Sequence, residues 1–345
     1  MNPPSLRRVA LHSAALFGAA SGLTRTLNAR RLRRRDHRLF ILEYHDISPH
    51  GRESEGTISQ ARFRRHVDWL NKRCQISTLR EATERLTSEE GLDRDLITLT
   101  FDDGYEGNFS EAWPVLESRE TPATIFLTTG FLDGQQLWFD LARRCLAAAQ
   151  ASPSSLSVQA RAALVGLYGS WPQRRDPESL VQRLKYLDPK DRAAVIDALA
   201  GSSLSLGPRA QPLTWDQVRT MHAGAIEFGG HTVTHPILSL LSTEEQRSEV
   251  MSCHRRIAEE TGTPPTTFAY PNGSARDYTG DTRKIVREAG FQAACTTRKG
   301  SNRAGCDSFA LQRLGIGSDP TWVIEARLSG LFDEQVRSLL PKLSL

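Results

Sequence analysis

The sequence predicts an α/β protein, a distorted (β/α) barrel that carries a helical insertion. Short apolar runs of strand length alternate with amphipathic helical patterns, which is typical of βαβ units and a parallel sheet. The apolar runs are continuous and not alternating, so both faces of the sheet are expected to be buried. The 345 residues exceed the usual size of one domain, yet an α/β barrel commonly uses about 250 residues as a single unit.

Each predicted strand is followed by polar or small residues at the point where its apolar run ends. The runs are 39–42, 96–101, 123–127, 225–228, 267–269 and 309–314, with 291–295 as a further strand-like run. Because the carboxyl ends of parallel strands meet on one rim of a barrel, the residues that follow these runs in the sequence are predicted to share that rim. They include His45, Asp102, Asp103, His231 and Tyr270.

Helical patterns lie between the strands. The clearest begins at Ser242, whose hydroxyl can cap the helix while Glu245 reaches back as a capping box, and it ends at Gly262. His66 lies in another helical pattern among several arginines, where we expect a solvated face. Residues 141–211 are rich in Ala, Leu, Arg and Ser and contain no strand signal, which predicts the helical insertion.

The chain divides into a basic N-terminal segment, 1–37, and one domain, 38–345, that contains the insertion. Residues 1–38 hold nine Arg and one Asp, a charge of +8, so the remainder carries −4 within the total of +4. Three interpretations of the segment stay open: a secretory signal, a basic amphipathic helix on an anionic membrane surface, or a solvated, poorly ordered arm. Polar residues dilute its apolar stretch, 9–23, so we expect a cytoplasmic or peripheral inner-membrane protein more than a secreted one.

Composition excludes several classes of protein. With 39% hydrophobic and 24% charged residues, and no apolar run approaching about 18 residues, no internal membrane span is expected. A nucleic-acid partner is not expected, because the basic segment lacks interleaved aromatic residues and the rest of the chain is acidic. The five cysteines contain no Cys-x-x-Cys pair, which disfavours a thiolate zinc site and a disulfide framework. No signal for an oligomer is visible.

Two short motifs carry the chemistry. His231 and His235 are four residues apart, a spacing that suits two ligands of one metal ion. Two imidazoles and the carboxylate of Asp103 would make a set of three that leaves positions open for water and substrate, as a catalytic Zn²⁺ or similar divalent ion requires. The adjacent carboxylate, Asp102, could then accept a proton from the attacking water as a general base.

These motifs resemble those of polysaccharide deacetylases of the NodB-homology group, carbohydrate esterase family 4. The family's T-F-D-D-G motif stands at 100–104, and its H-[ST]-x-x-H motif stands at 231–235. The resemblance covers roughly residues 38 to 320, and the early Tyr44-His45 pair places the chain nearest the branch of poly-N-acetylglucosamine deacetylases. It implies a NodB-like barrel.

The resemblance also implies roles for individual residues. Asp102 would be the base, while Asp103, His231 and His235 would bind a divalent metal ion, with Zn²⁺ expected first. The backbone amide of Tyr105 would stabilise the oxyanion of the tetrahedral intermediate. Substrate contacts would come from the segment that follows the strand at 267–269. Its members are Tyr270, Pro271 and Asn272.

The chain departs from the family pattern at two places. The third motif often reads R-x-P-x-G, but here Ala269 stands where Arg is expected, so another group must orient Asp102, and Arg313 is the candidate. The late Leu-x-His motif that supplies a general acid is missing, since the last histidine is His254. His45 could replace it, although a structural hydrogen bond at the barrel mouth is the alternative.

The sequence thus predicts a metal-dependent hydrolase that removes N-acetyl groups from N-acetylhexosamine units of a polysaccharide or lipid-linked glycan. Two alternatives stay open. The same metal site would serve a deacylase for formyl or O-acetyl groups or for a non-sugar amide. A carbohydrate-binding barrel without turnover would fit the two missing motif residues, but it would have no need for Asp102 as a base.

Overall fold

The computed structural model describes residues 6–48, 57–172 and 175–333. Its centre is a closed barrel of seven parallel strands in the order β1-β10-β9-β8-β7-β6-β5, which closes because β1 pairs with both β10 and β5. The predicted (β/α) barrel is confirmed. The strands are β1 (Leu39–Tyr44), β2 (Asp46–Ser48), β3 (Thr57–Ser59), β4 (Gln75–Ile76), β5 (Leu96–Phe101), β6 (Ala123–Leu127), β7 (Ile226–Gly230), β8 (Thr267–Ala269), β9 (Ala293–Lys299) and β10 (Leu311–Gly315).

Three short strands, β2, β3 and β4, lie outside the barrel ring. β4 pairs with the start of β5, and β2 and β3 form a separate two-stranded parallel sheet. The helices are α1 (Leu6–Ala20), α2 (Leu23–Arg33), α3 (Gln60–Asn71), α4 (Leu79–Thr87), α5 (Trp113–Glu117), α6 (Thr129–Leu132), α7 (Trp138–Ala151), α8 (Val158–Tyr168), α9 (Glu178–Leu184), α10 (Pro189–Ala200), α11 (Trp215–His222), α12 (Thr243–Thr261), α13 (Gly280–Glu288) and α14 (Thr321–Leu328).

The helix signals in the sequence act as predicted. Ser242 caps α12 in a capping box with Glu245, and the helix ends at Gly262, whose φ of 70° is the left-handed conformation that glycine adopts without strain. Inside the barrel, Phe126 lies opposite Gly229 in the register of β6 and β7. A Cβ atom on Gly229 would lie 2.6 Å from the Phe126 ring, so a glycine is needed for that ring to fill the barrel.

The predicted insertion, 141–211, is a bundle of four helices. Its first helix, α7, begins at Trp138, before the predicted boundary, and the last, α10, ends at Ala200. The bundle buries its own apolar cluster, which includes Phe139, Leu146 and Leu164. It is therefore a compact unit attached to the barrel and not an extended loop.

Over its described residues, the N-terminal segment, predicted as 1–37, forms the two helices α1 and α2, which pack on the domain. Ala15 of α1 packs against Val323 and Ala326 of α14. The side chain of Arg31 is buried and forms an ion pair with Asp95. Among the described residues, no helix has both the length and the apolar character that a membrane crossing requires. Residues 1–5 and 334–345, which belong to the two predicted domains, lie outside the described residues.

His66 is not on a solvated face as predicted, because α3 turns it towards the barrel. Only 1% of its surface is exposed. Its Nε2 lies 2.7 Å from the Asp319 carbonyl oxygen and its Nδ1 lies 3.2 Å from the Tyr44 hydroxyl. The carbonyl can only accept, so Nε2 carries the proton and Nδ1 accepts from Tyr44. Burial lowers the pKa of His66 to about 4, which keeps this imidazole neutral.

Candidate active site

Two clusters of polar side chains lie at the carboxyl ends of the barrel strands, one fully buried and one half-buried. One consists of Asp103, His231 and His235, and the other consists of Glu43, His45 and Asp102. Within each cluster the potential ligand atoms lie within 4.8 Å of one another. The rim predicted from the strand ends therefore exists, and it brings together residues that follow β1, β5 and β7.

Asp103 faces both imidazoles. Its Oδ1 lies 3.5 Å from Nε2 of His231 and 3.4 Å from Nε2 of His235. His231 Nδ1 lies 2.7 Å from the Ala269 carbonyl oxygen, so Nδ1 donates to that carbonyl and Nε2 is the ring nitrogen turned towards Asp103. Burial lowers the pKa of His235 to about 4, partly opposed by the charge of Asp103, so the His235 ring is neutral at pH 7.

The three residues fit a bound divalent metal ion. Two ligands placed about 2.1 Å from a tetrahedral ion lie about 3.4 Å apart, close to the distances that join Asp103 to the two rings. Distances of 3.4–3.5 Å are long for direct N–H···O hydrogen bonds. Asp103 Oδ1 is buried and has no hydrogen-bond partner among the described residues. Such an orphaned carboxylate oxygen is expensive to bury unless a cation lies beside it.

The backbone around these ligands is held in unusual conformations. Asp103, Thr232 and His235 have φ values of 75°, 68° and 56°, all in the left-handed region that non-glycine residues rarely adopt. The Glu249 carboxylate, which comes from α12, accepts hydrogen bonds from the amides of Val233 and Thr234 at 2.8 and 2.9 Å. It also accepts a bond of 2.6 Å from the Thr234 hydroxyl. Strained backbone of this kind persists only where surrounding contacts hold it, and it clusters at functional sites.

Asp102 is bound by Arg313 in a bidentate ion pair. Arg313 Nη1 and Nη2 donate to the two carboxylate oxygens at 2.7 and 2.8 Å, and its Nε donates to the Thr296 carbonyl at 2.9 Å. Arg313 comes from β10, and β1 separates it from β5, which delivers Asp102. Burial alone would raise the pKa of Asp102, but the charge and hydrogen bonds of Arg313 hold it well below its usual range. The carboxylate is therefore ionised and fixed in orientation.

His45 lies beside this ion pair. A ring nitrogen is within 4.8 Å of an Asp102 and a Glu43 carboxylate oxygen. Burial would lower the pKa of His45, but the negative charges of Asp102, Asp103 and Glu43 raise it above its ordinary value. Asn108, in a π-helical turn at Asn108–Ala112, donates a 2.8 Å hydrogen bond to the His45 carbonyl oxygen.

The Tyr105 amide is free to bind a ligand. Its neighbours Gly104 and Glu106 are hydrogen-bonded to Leu213 and Gln211, which makes an isolated antiparallel bridge between Tyr105 and Pro212. In that bridge the Tyr105 N–H points away from the pairing edge, and it makes no hydrogen bond within the described ranges.

The segment predicted to bind substrate contributes less than expected. Tyr270 is fully buried, donates a hydrogen bond from its hydroxyl to the Phe309 carbonyl, and stacks on Tyr278 at 4.2 Å between ring centroids. It is a core residue and cannot stack on a sugar. Pro271 is buried, whereas Asn272 is half-buried with a φ of 60°. The Nδ2 atom of Asn272 has no partner among the described residues.

The insertion reaches the site through contacts to His235 that the sequence does not specify. Trp138, at the start of α7, donates from its indole to the His235 carbonyl at 3.1 Å, and the Phe139 ring packs edge-on against the His235 ring at 4.9 Å. Arg192 of α10 lies over the Trp138 ring at 4.6 Å. Sequence reasoning missed Glu249. Neither Trp138 nor Glu249 stands beside a motif in the sequence, so only the folded chain brings Trp138 to His235 and Glu249 to Val233 and Thr234.

A parallel barrel with a buried Asp-His-His cluster and a fixed carboxylate on one rim defines a hydrolase-type site. Comparison with known proteins specifies the family. The family model described as polysaccharide deacetylase matches residues 89–294, more than half of the chain. The chain therefore belongs to the polysaccharide deacetylase family. This membership supports a hydrolase that acts on an acetylated carbohydrate.

Individual relatives are distant in sequence and similar in fold. The YxkH protein of Bacillus subtilis (strain 168) is 22% identical over 280 residues, which are 81% of this chain and 71% of that protein. The deacetylase PplD of Streptococcus pyogenes, solved in complex with acetate, aligns with a TM-score of 0.56 at 19% identity, over 84% of this chain and 98% of that one. IcaB from Ammonifex degensii aligns with a TM-score of 0.56 at 21% identity, over 85% and 97%.

Proposed function

We propose that this protein is a metal-dependent deacetylase that hydrolyses the N-acetyl group of N-acetylhexosamine units in a polysaccharide or a lipid-linked glycan. The observation that carries the proposal is the different environment of two adjacent carboxylates. Asp103 faces the imidazoles of His231 and His235, while Asp102 faces the Arg313 guanidinium. One carboxylate is thereby available to a metal ion, and the other is available to a proton.

Asp103, His231 and His235 would hold the ion. Two imidazoles and one carboxylate suit Zn²⁺, and the same donor set also accepts Co²⁺, Ni²⁺ or Fe²⁺. When bound, a divalent ion would supply Lewis acidity that polarises the acetyl carbonyl and activates water. The hydrogen bond from His231 to Ala269 and the support of the following loop by Glu249 keep the ligand atoms pointed at one place.

The other residues divide the proton transfers between them. Asp102 would accept a proton from the attacking water, in an orientation fixed by Arg313. The Tyr105 amide would donate a hydrogen bond to the oxyanion that forms as water adds to the carbonyl carbon. His45, whose pKa is raised, would protonate the sugar nitrogen as the C–N bond breaks. The products are acetate and a free amine.

The geometry of Arg313 weakens the alternative of a barrel that binds sugars without turnover. That alternative rested partly on the missing Arg of the third motif. The bidentate bond from Arg313 to Asp102 supplies a guanidinium from a different strand, β10, at hydrogen-bond distance. A binding protein gains nothing from a buried, oriented carboxylate beside an ion site.

The test is acetate release from N-acetylglucosamine oligomers by the full chain, stripped of metal and then reloaded with Zn²⁺. We expect turnover only after reloading. Asp102→Asn should keep one equivalent of metal and lose activity by about 10²–10⁴-fold, the range of a general base. Asp103→Asn should lose the metal itself, and Asp93→Asn, an exposed position, is the matched control. Metal-loaded protein that releases no acetate would overturn the proposal, and release of formate from a formylated sugar would redirect it to another acyl group.

A further inference from the structure

The outer face of helix α1 presents large apolar side chains to solvent. Val9, Leu16 and Phe17 expose 47, 54 and 62% of their surface. Their spacing places them on one side of the helix, and Ser13 and Ala20 complete the exposed stripe. The opposite side of α1 packs on α14 through Ala15 and its neighbours. No described residue covers the exposed stripe.

Positive charge lies on the adjoining helix. Five arginines of α2 and of the turn that follows it are exposed, and none makes an ion pair with a residue in the described ranges. They are Arg25, Arg30, Arg33, Arg34 and Arg35. The two buried arginines nearby behave differently, since Arg31 pairs with Asp95 and Arg38 pairs with Asp36 and Asp333. The helix pair therefore carries an exposed apolar stripe on α1 and positive charge, unpaired within the described ranges, on α2 and the turn that follows it.

A groove adjoins the apolar stripe. It has a volume of about 500 Å³ and lies between Val9 and Leu16 of α1 and Trp322 at the start of α14. His12 of α1 also lines the groove. Its Nε2 lies 3.2 Å from Oδ1 of Asp319, a residue in the segment that follows β10. Helices that lie on membranes typically combine aliphatic residues, an aromatic side chain at a polar edge and neighbouring arginines.

We propose that α1 and α2 form a docking surface for an anionic lipid bilayer. The charge identifies the occupant. A second copy of this chain would place five unneutralised arginines against five more, whereas anionic headgroups complement them. Phosphates of a nucleic acid would complement the arginines but would leave Leu16 and Phe17 unburied. An anionic bilayer would accommodate both the apolar stripe and the arginines. The stripe would insert between the headgroups, and the arginines would lie at the lipid phosphates.

The experiment is sedimentation of the full chain with vesicles of phosphatidylcholine alone or with 30% phosphatidylglycerol. We expect binding to the anionic vesicles, weakened by 0.5 M NaCl, and at least a tenfold loss of binding in both Leu16→Ser/Phe17→Ser and Arg25→Gln/Arg30→Gln/Arg33→Gln. Control variants carry the same number of comparable changes elsewhere on the exposed surface: Leu240→Ser/Met251→Ser and Arg94→Gln/Arg255→Gln/Arg298→Gln. These should bind within twofold of the parent protein.

Several outcomes would overturn the proposal. They are equal binding to neutral vesicles, no binding to anionic vesicles at millimolar lipid, or vesicle binding that neither substitution set reduces. A concentration-dependent dimer that Leu16→Ser/Phe17→Ser abolishes, without vesicle binding, would assign the surface to a second copy. Circular dichroism spectra and melting temperatures of the variants exclude loss of folding as the cause. None of these readouts depends on deacetylase activity.

Discussion

At the scale of single residues, the different surroundings of Asp102 and Asp103 explain how two like charges can stand side by side. Consecutive side chains of an extended strand point to opposite faces, but here the strand has ended and Asp103 has a φ of 75°. The left-handed turn sends the two carboxylates to different partners, one to Arg313 and one to the imidazoles. Their repulsion is offset because each is beside a positive or metal-binding group.

Arg313 is predicted to be a positioning residue for Asp102. Arg313→Lys keeps the buried charge but loses the two parallel hydrogen bonds, because an ammonium cannot bind both oxygens in that geometry. We expect kcat to fall by about 10–10²-fold, which is less than the full rate enhancement from a general base. Metal content and melting temperature should change little. Arg298→Lys, on the exposed part of β9, is the control. Full activity in Arg313→Lys would show that the ion pair only stabilises the barrel.

His66 is predicted to make stability depend on pH. Its pKa is about 4 in the folded chain and 6.5 ordinarily, so between these values the unfolded chain binds more protons and stability falls as pH falls. The loss from pH 7 to 4 is about 3 kcal/mol from this residue. His66→Gln cannot titrate, and its amide can still donate to the Asp319 carbonyl. Denaturant unfolding should give a flatter pH dependence for the variant, and equal slopes would contradict the assignment.

Sequence reasoning at this scale succeeded where residues stand in a contiguous motif. The neighbours at 102–103 and the spacing of His231 and His235 are local, so the candidate Asp-His-His cluster can be predicted from them. Tyr270 and His66 show the opposite case. Whether an aromatic or imidazole ring faces solvent depends on which element packs over it, and that packing is set by Phe309 and Asp319, which lie far away in the chain.

At the scale of elements, α12 is predicted to control metal affinity through Glu249. Glu249→Gln removes one of the acceptors that hold the amides of Val233 and Thr234, so the loop between the two histidines should loosen. Loss of such a supporting contact costs about 10–100-fold in metal affinity. Competition with a chelator measures it, and activity should largely return at saturating Zn²⁺. Glu244→Gln, exposed on the same helix, is the control, and an unchanged affinity in Glu249→Gln would refute the role.

The elements themselves were predictable to the extent that their signals are local. Capping boxes and apolar runs located α12 and most barrel strands, because these depend on neighbouring residues. Strand ends were less accurate: the last strand was predicted at 309–314, but it spans Leu311–Gly315 after a 3₁₀ turn at Ser308–Ala310. The insertion was recognised as helical, yet nothing in its sequence indicates that Trp138 would reach His235.

At the scale of the whole molecule, the arrangement of the barrel strands would couple metal binding to folding. The ligands follow β5 and β7, and β6 lies between these strands, so the site is complete only when all three are paired. An unfolded chain lacks this arrangement. Any ion that binds the folded chain alone must therefore stabilise it.

This coupling gives a prediction that is independent of substrate. Free Zn²⁺ at 100 times its Kd should add about 2.7 kcal/mol to the free energy of unfolding, measured by denaturant titration with Zn²⁺ and with a chelator. Asp103→Asn should abolish the increment without disturbing the backbone, because Asn tolerates the left-handed conformation at this position. If parent and variant gain equally, the ion binds elsewhere. If neither gains, the Asp-His-His cluster holds no Zn²⁺, and the orphaned Asp103 oxygen requires another partner.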